Sequence, residues 1–279
     1  MSKKTRADLT NIIIYVVLPC NIFNAFHKGT TPEMIKQCLV VILAAFGMQL
    51  LYIVINKVAY FRVAPERRIV LQYATIVNNA AFLGLPIIGV VYGSTGVLYA
   101  SVALIPMRIF TWTAGLSLFT RLEKKQSIKV LVTHPCIWAV FLGFAYIFAP
   151  FELPGFLTEA ISLVSASATM LPMFIIGSIL CEIKLKDLLD KDCFYYSLFR
   201  LVIIPAIMFG VLTLLDVDPL AKGVVVLAAA MPSSITSAML TEKYGKDSRF
   251  AARVIIVSTV LSIITLPLVT EALARFGGA

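Results

Sequence analysis

Charge is scarce in this chain of 279 residues: Asp, Glu, Lys and Arg make up 14% of it, against roughly 25% in soluble domains. That is too little to cover the surface of a soluble fold of this length. Histidine is rarer still, at two residues, and the five cysteines (Cys20, Cys38, Cys136, Cys181 and Cys193) form no CxxC pair and no Cys/His cluster. A metal centre is not expected, and the thiols read as packing residues of apolar segments rather than disulfide partners. There is no GxGxxG or GxxxxGK[ST] pattern, and no cofactor is expected. No Asp or Glu lies in the middle of an apolar segment; Glu159, Glu182 and Glu271 are near segment ends. A carboxylate proton relay is therefore unsupported, and so is the constellation a membrane-embedded enzyme would need. The first apolar block, from about Leu9 to Phe26, carries Asn11, Asn21 and Asn24 and lacks a small-residue cleavage site, unlike a cleavable signal peptide.

What the chain does have is apolar length. The residues AVILMFWYC make up 59% and the mean hydropathy is +0.92. The apolar residues come in blocks of about 20 or more, long enough to cross a bilayer as helices. Nine spans are expected: 9–26, 34–58, 69–92, 97–120, 130–150, 156–182, 192–215, 220–244 and 249–275. The connections are short, so no soluble domain is inserted. Every span must be helical, because lipid offers no partner to an open backbone. In alternate connections Lys and Arg number 18 on one side and 4 on the other, with Arg108 and Arg200 left inside spans. That asymmetry places the N-terminus in the cytoplasm and, with nine spans, the C-terminus outside, in the plasma membrane or bacterial inner membrane. The net charge of +9 is then a topology signal. The lipid bilayer, not nucleic acid, is the expected partner.

The chain also repeats itself. Leu18-Pro19 recurs as Leu171-Pro172, 153 positions on, while Tyr92-Gly93 recurs as Tyr244-Gly245 and Ala100-Ser101-Val102 as Ala252-Arg253-Val254, each 152 on. That distance covers five spans, and an odd number reverses direction across the membrane. The expected organisation is two inverted repeats, 1–122 with four spans and 123–279 with five. The partner of span 130–150 would precede Met1, so the first repeat is one helix short of a five-plus-five arrangement. Inverted repeats are typical of secondary transporters, whose solute site lies near the midplane between the halves.

Two spans are poor continuous helices. The third carries Asn78 and Asn79 at mid-depth and then Gly84 and Pro86; the eighth carries Pro232 followed by Ser233 and Ser234. Asn79 and Pro232 are 153 positions apart, so the interruptions fall at repeat-equivalent places. Pro86 removes a backbone hydrogen bond and crowds the turn near Phe82. Interrupted helices free backbone groups, and the N-terminal end of the half-helix that follows favours an anion. Arg108, beside Pro106, must face protein or water, and is a candidate carboxylate-binding or gate residue. Asn21, close to Pro19, is a further candidate. Arg200 is nearer the cytoplasmic end of its span and is expected to snorkel. His134, beside Pro135, is a weaker candidate for proton coupling.

With its run from Asn78 to Pro86, Ala230-Met231-Pro232 leading to Tyr244-Gly245, the stretch Ser258 to Ser262 continuing to Thr265-Leu266-Pro267, and Leu171-Pro172 with Gly177, the chain resembles the auxin efflux carrier family in its short bacterial form. The matches spread over nearly the whole chain. The resemblance implies ten helices in two inverted five-helix repeats, two interrupted crossover helices, a scaffold part that forms a homodimer, and a mobile transport part. It also implies small organic anions as solutes, mono- or dicarboxylates in bacteria. The chain departs from the family at its missing first helix and at Ser233-Ser234-Ile235-Thr236-Ser237, where the family has a more apolar, asparagine-containing stretch. The expected function is a secondary carrier with a site built from Asn78, Asn79, Pro86, Arg108, Pro232, Ser233, Ser234 and Asn21. A membrane sensor or channel-like protein keeping the same fold is the alternative.

Overall fold

Helix starts follow a short vocabulary of caps and prolines. The Thr31 hydroxyl accepts from Met34 N at 3.3 Å, and Asp190, Asp218 and Asp247 accept in the same way from Asp192 N, Ala221 N and Phe250 N. Pro32, Pro65 and Pro219 stand in the first turn of their helices, where no N–H is required. The computed structural model describes residues 3–27, 31–119, 133, 135–147, 149, 152–180 and 190–277. His134, Cys181, Glu182 and the charged connections holding Arg121, Lys124, Lys125, Lys129, Lys184 and Lys186 lie outside the described residues, as do the side chains of Pro172 and Gly177.

Within these residues the chain is helical: α1 (3–27), α2 (Pro32–Val58), α3 (Pro65–Ile76), α4 (80–92), α5 (94–117), α6 (Pro135–Ile147), α7 (Gly155–Leu180), α8 (191–214), α9 (Pro219–Ala229), α10 (Thr236–Lys243) and α11 (Ser248–Phe276). These helices fall at the places of the nine expected spans, two of them divided: α3 with α4, and α9 with α10. Four helical stretches, Glu33–Val58, Ala80–Gly115, Lys191–Leu214 and Ser248–Phe276, are long and apolar enough to cross a bilayer. Leu39, Leu43, Leu50, Val54 and Val58 on α2 and Ile263, Ile264 and Leu268 on α11 are each more than half exposed, which lipid tolerates and water does not. The fold is an all-α polytopic membrane protein.

Three prolines inside spans are preceded by a change of helix type. Wide π turns occupy Ile13–Val17, Ala80–Gly84 and Phe199–Ile203. Each ends two residues before a proline: Pro19, Pro86 and Pro205. Widening the turn makes room for the ring by shifting bonds to i→i−5, as from Gly84 N to Asn79 O and Leu85 N to Ala80 O. Pro86 therefore does not interrupt its span, contrary to expectation. The break lies upstream, at residues 77–79.

Helix α1 packs against both α6 and α7, and the remaining elements form a second, larger group around α2, α4, α5 and α9. Between α4 and α5 the chain reverses at Gly93, whose φ of 64° and ψ of −156° belong to a region open essentially to glycine alone. Its repeat counterpart Gly245 has the same φ of 64° and joins α10 to α11. Gly93→Ala is expected to cost about 1–3 kcal/mol from this strain. Gly47→Ala, in the middle of α2 with no atom within 4 Å of the added Cβ, should be neutral or stabilising by up to about 1 kcal/mol. Thermal unfolding of the two variants in one detergent checks the contrast; equal midpoints would show that the Gly93 turn is not held in this conformation.

At the opposite end of the spans, Arg67 pairs with Asp192 at 2.7 Å and Asp190 at 3.2 Å, and Arg253 pairs with Asp190 at 3.3 Å. The start of α3, the cap of α8 and the first turn of α11 are thereby joined. Three connections that the charge count assigns to one side of the membrane do meet at one end of the molecule.

Candidate functional site: the crossing of two broken helices

The two interruptions lie against each other. After α3 the backbone becomes extended at Val77 (φ −115°, ψ 98°). After α9 the chain leaves the helix through residues 231–235, with a bridge position at Ser233. The two stretches run antiparallel and form a bridge between Asn78 and Ser233. Asn79 N donates to Pro232 O at 2.8 Å and Ser234 N donates to Val77 O at 3.3 Å. The pairing has a direct cause: in a water-free interior, backbone groups released by a broken helix must find partners, and here each break supplies those of the other. The ends of α3 and α9 and the beginnings of α4 and α10 all converge on this point.

Side chains complete the crossing unevenly. Asn78 is structural on both ends of its amide: Nδ2 donates to Ala228 O at 2.6 Å, and Oδ1 accepts from Ala80 N at 3.2 Å, capping α4. Asn79 is equally buried, yet its Oδ1 has no protein partner. Ser233 N donates to Ser258 Oγ at 3.2 Å, and Ser233 Oγ lies 3.4 Å from Ser237 Oγ. Ser234 Oγ accepts from Thr236 N at 3.3 Å and so opens α10. Pro232 contributes its carbonyl and Pro86 packs, buried, in the first turn of α4 after the π turn.

The residue that ties the breaks together was given another role from the sequence. Arg200 does not snorkel: it is fully buried on the π turn of α8. Its Nε donates to Met231 O at 2.9 Å and its Nη1 to Thr75 O at 3.0 Å, one carbonyl from each broken helix. The Tyr52 ring lies beneath it, 4.6 Å from centroid to Cζ. Tyr196 OH donates to Ala74 O at 2.9 Å, and Tyr60 and Thr75 share a hydroxyl contact of 2.9 Å. An arginine in an apolar segment with no acid at its depth was the signal available. It called for a carbonyl partner, but which carbonyls could be read only from the packing.

The other two candidates stand apart from the crossing bonds. Arg108 lies on α5, half-buried, with Nε lacking a protein partner, and near enough to Tyr73 and Cys136 to act on both electrostatically. Asn21 and Asn24 on α1 donate to Ser165 Oγ on α7 at 3.1 and 3.3 Å. With Gly89, Gly93, Ser94 and Val97 they line a pocket of about 190 Å³ where the two helix groups meet.

A helical membrane protein whose two broken helices exchange backbone bonds has the construction of a membrane transporter. Sequence comparison gives the family. The profile of the family described as membrane transport protein matches residues 1–270, and the chain belongs to it; this is the family to which the auxin efflux carrier resemblance pointed. An uncharacterized transporter of Methanocaldococcus jannaschii is 25% identical over 270 residues, covering 93% of this chain and 87% of that protein. Another, of Methanothermobacter thermautotrophicus, is 26% identical over 280 residues, covering 96% and 89%.

Proposed function

We propose that the chain is a secondary carrier of small organic anions, of the mono- or dicarboxylate class, working by alternating access around the crossing. The observation that carries the reading is the mutual pairing of the breaks at Asn78–Asn79 and Pro232–Ser234, which aims the N-terminal ends of α4 and α10 at one place. Helix N-termini carry partial positive charge and favour an anion there. The inverted-repeat organisation is supported by the 153-position offset of the paired breaks and by the shared φ of Gly93 and Gly245. Asn79 presents a buried amide oxygen that no protein group satisfies; being an acceptor, it suits a hydroxyl or other donor on the solute rather than its carboxylate.

Uptake of a labelled carboxylate panel into proteoliposomes at an imposed membrane potential tests this. Wild-type protein should show saturable uptake of at least one carboxylate. Asn79→Ala should lower it about fivefold, the size of one lost neutral hydrogen bond, at unchanged protein abundance. Full transport by the variant removes Asn79 from the site. Saturable uptake confined to neutral or cationic solutes overturns the anion class.

A further inference from the structure

One cluster of polar groups is left unexplained by the crossing itself. Arg200 uses Nε and Nη1 on the two carbonyls, but Nη2 is buried without a protein partner. The Tyr52 hydroxyl, on the residue whose ring supports that guanidinium, is also buried and has no partner besides that guanidinium. One helical turn earlier on the same face of α2 stands Gln49, fully buried, with neither Nε2 nor Oε1 partnered. Buried polar atoms are nearly always satisfied, and a group of them left open on adjoining residues points to something they are built to hold. No carboxylate of the protein balances Arg200 among the described residues, whose ion pairs all lie elsewhere.

We propose that Arg200, Tyr52 and Gln49 form a carboxylate-binding site on the α2 side of the crossing, the place where the charged end of the carried anion is held. The inference rests on the organic-anion reading above and deepens it. The chemistry is specific. Nη2 offers two N–H donors on a permanent cation, and a charge-assisted bond to an oxyanion is about twice as strong as a neutral one. The Tyr52 hydroxyl and Gln49 Nε2 add neutral donors suited to the second carboxylate oxygen. Gln49 Oε1 offers an acceptor to a hydroxyl on the solute. Because Arg200 also holds Thr75 O and Met231 O, an anion drawing on its guanidinium acts directly on the bonds that join the two breaks. Occupancy of the site and the state of the crossing are thereby coupled. All three side chains are fully buried, so the site is reached only when the face of α2 parts from the crossing.

The test uses Gln49→Leu/Tyr52→Phe, which keeps shape and leaves Arg200 in place. Thermal unfolding of purified protein is followed with and without acetate and malonate at constant ionic strength, with chloride as the control anion. Wild-type protein should be stabilised by a carboxylate and not by chloride. The double variant should unfold at or above the wild-type temperature without ligand, because two unpartnered buried groups have been removed. It should lose the carboxylate shift and bind the anion about tenfold or more weaker. Loss of ligand-free stability with an undiminished shift would mean that the three groups hold internal water only, and overturns the proposal. An undiminished shift in the double variant that disappears in Asn79→Ala also overturns it, while leaving the carrier reading intact. Absence of any carboxylate shift or uptake in wild-type protein overturns both.

Discussion

Arg200→Leu is expected to lower the unfolding free energy by about 2–5 kcal/mol and to abolish saturable transport. The leucine fills the volume, so a cavity is not the cause. The loss comes from Thr75 O and Met231 O, buried carbonyls that accept from Arg200 at 3.0 and 2.9 Å. Each stranded carbonyl costs about 1–3 kcal/mol in a medium without water. A small part of that cost is offset because a guanidinium no longer has to be held in an apolar interior. Arg200→Lys separates the contributions. A lysine keeps the charge but has no planar fork, so one ammonium cannot serve two carbonyls with the same geometry. It should retain more stability than leucine and still lose most transport. Thermal unfolding in detergent and flux in proteoliposomes measure both; a leucine variant with wild-type stability would show that the two breaks are not joined through Arg200.

The adjacent asparagines should behave oppositely in stability. Asn78→Ala removes a donor to Ala228 O and the acceptor that caps Ala80 N, leaving two buried backbone groups open at the crossing. The expected loss is about 2–4 kcal/mol, with poor membrane abundance as its visible consequence. Asn79→Ala removes an amide whose oxygen has no partner, while the Asn79 backbone N–H still reaches Pro232 O. Its stability should change by less than about 1 kcal/mol, leaving any transport defect attributable to the site. Quantifying folded protein after mild heating separates the two variants. A stable Asn78→Ala variant together with an unstable Asn79→Ala variant would reverse the roles assigned to them.

Much of this architecture can be read along the chain because the bilayer imposes so strict a rule. A span needs length and apolar composition, and both are one-dimensional properties. Among the described residues, helices therefore appear at the places of the expected spans with ends displaced by a few residues, and Thr31, Asp190, Asp218 and Asp247 mark helix starts by their type alone. The positions of the two interruptions are legible for the same reason, since Asn78-Asn79 and Pro232-Ser233-Ser234 are poor helix material wherever they stand. The effect of a particular proline is not legible. Pro86 could break the helix or widen it, and the choice falls to the turn before it, which opens into a π turn.

Composition, span count and the existence of two mid-membrane interruptions were thus determined by the sequence itself, because each depends on residues close together in the chain. Tertiary structure alone decided that the interruptions bond to each other, that Asn78 is committed to the backbone while the Asn79 side-chain oxygen is not, and that Arg200 spans both breaks beside Tyr52. These relations join residues more than a hundred positions apart. Their physical basis is the demand that every buried polar group find a partner, and which partner lies within reach is settled only when the helices are packed.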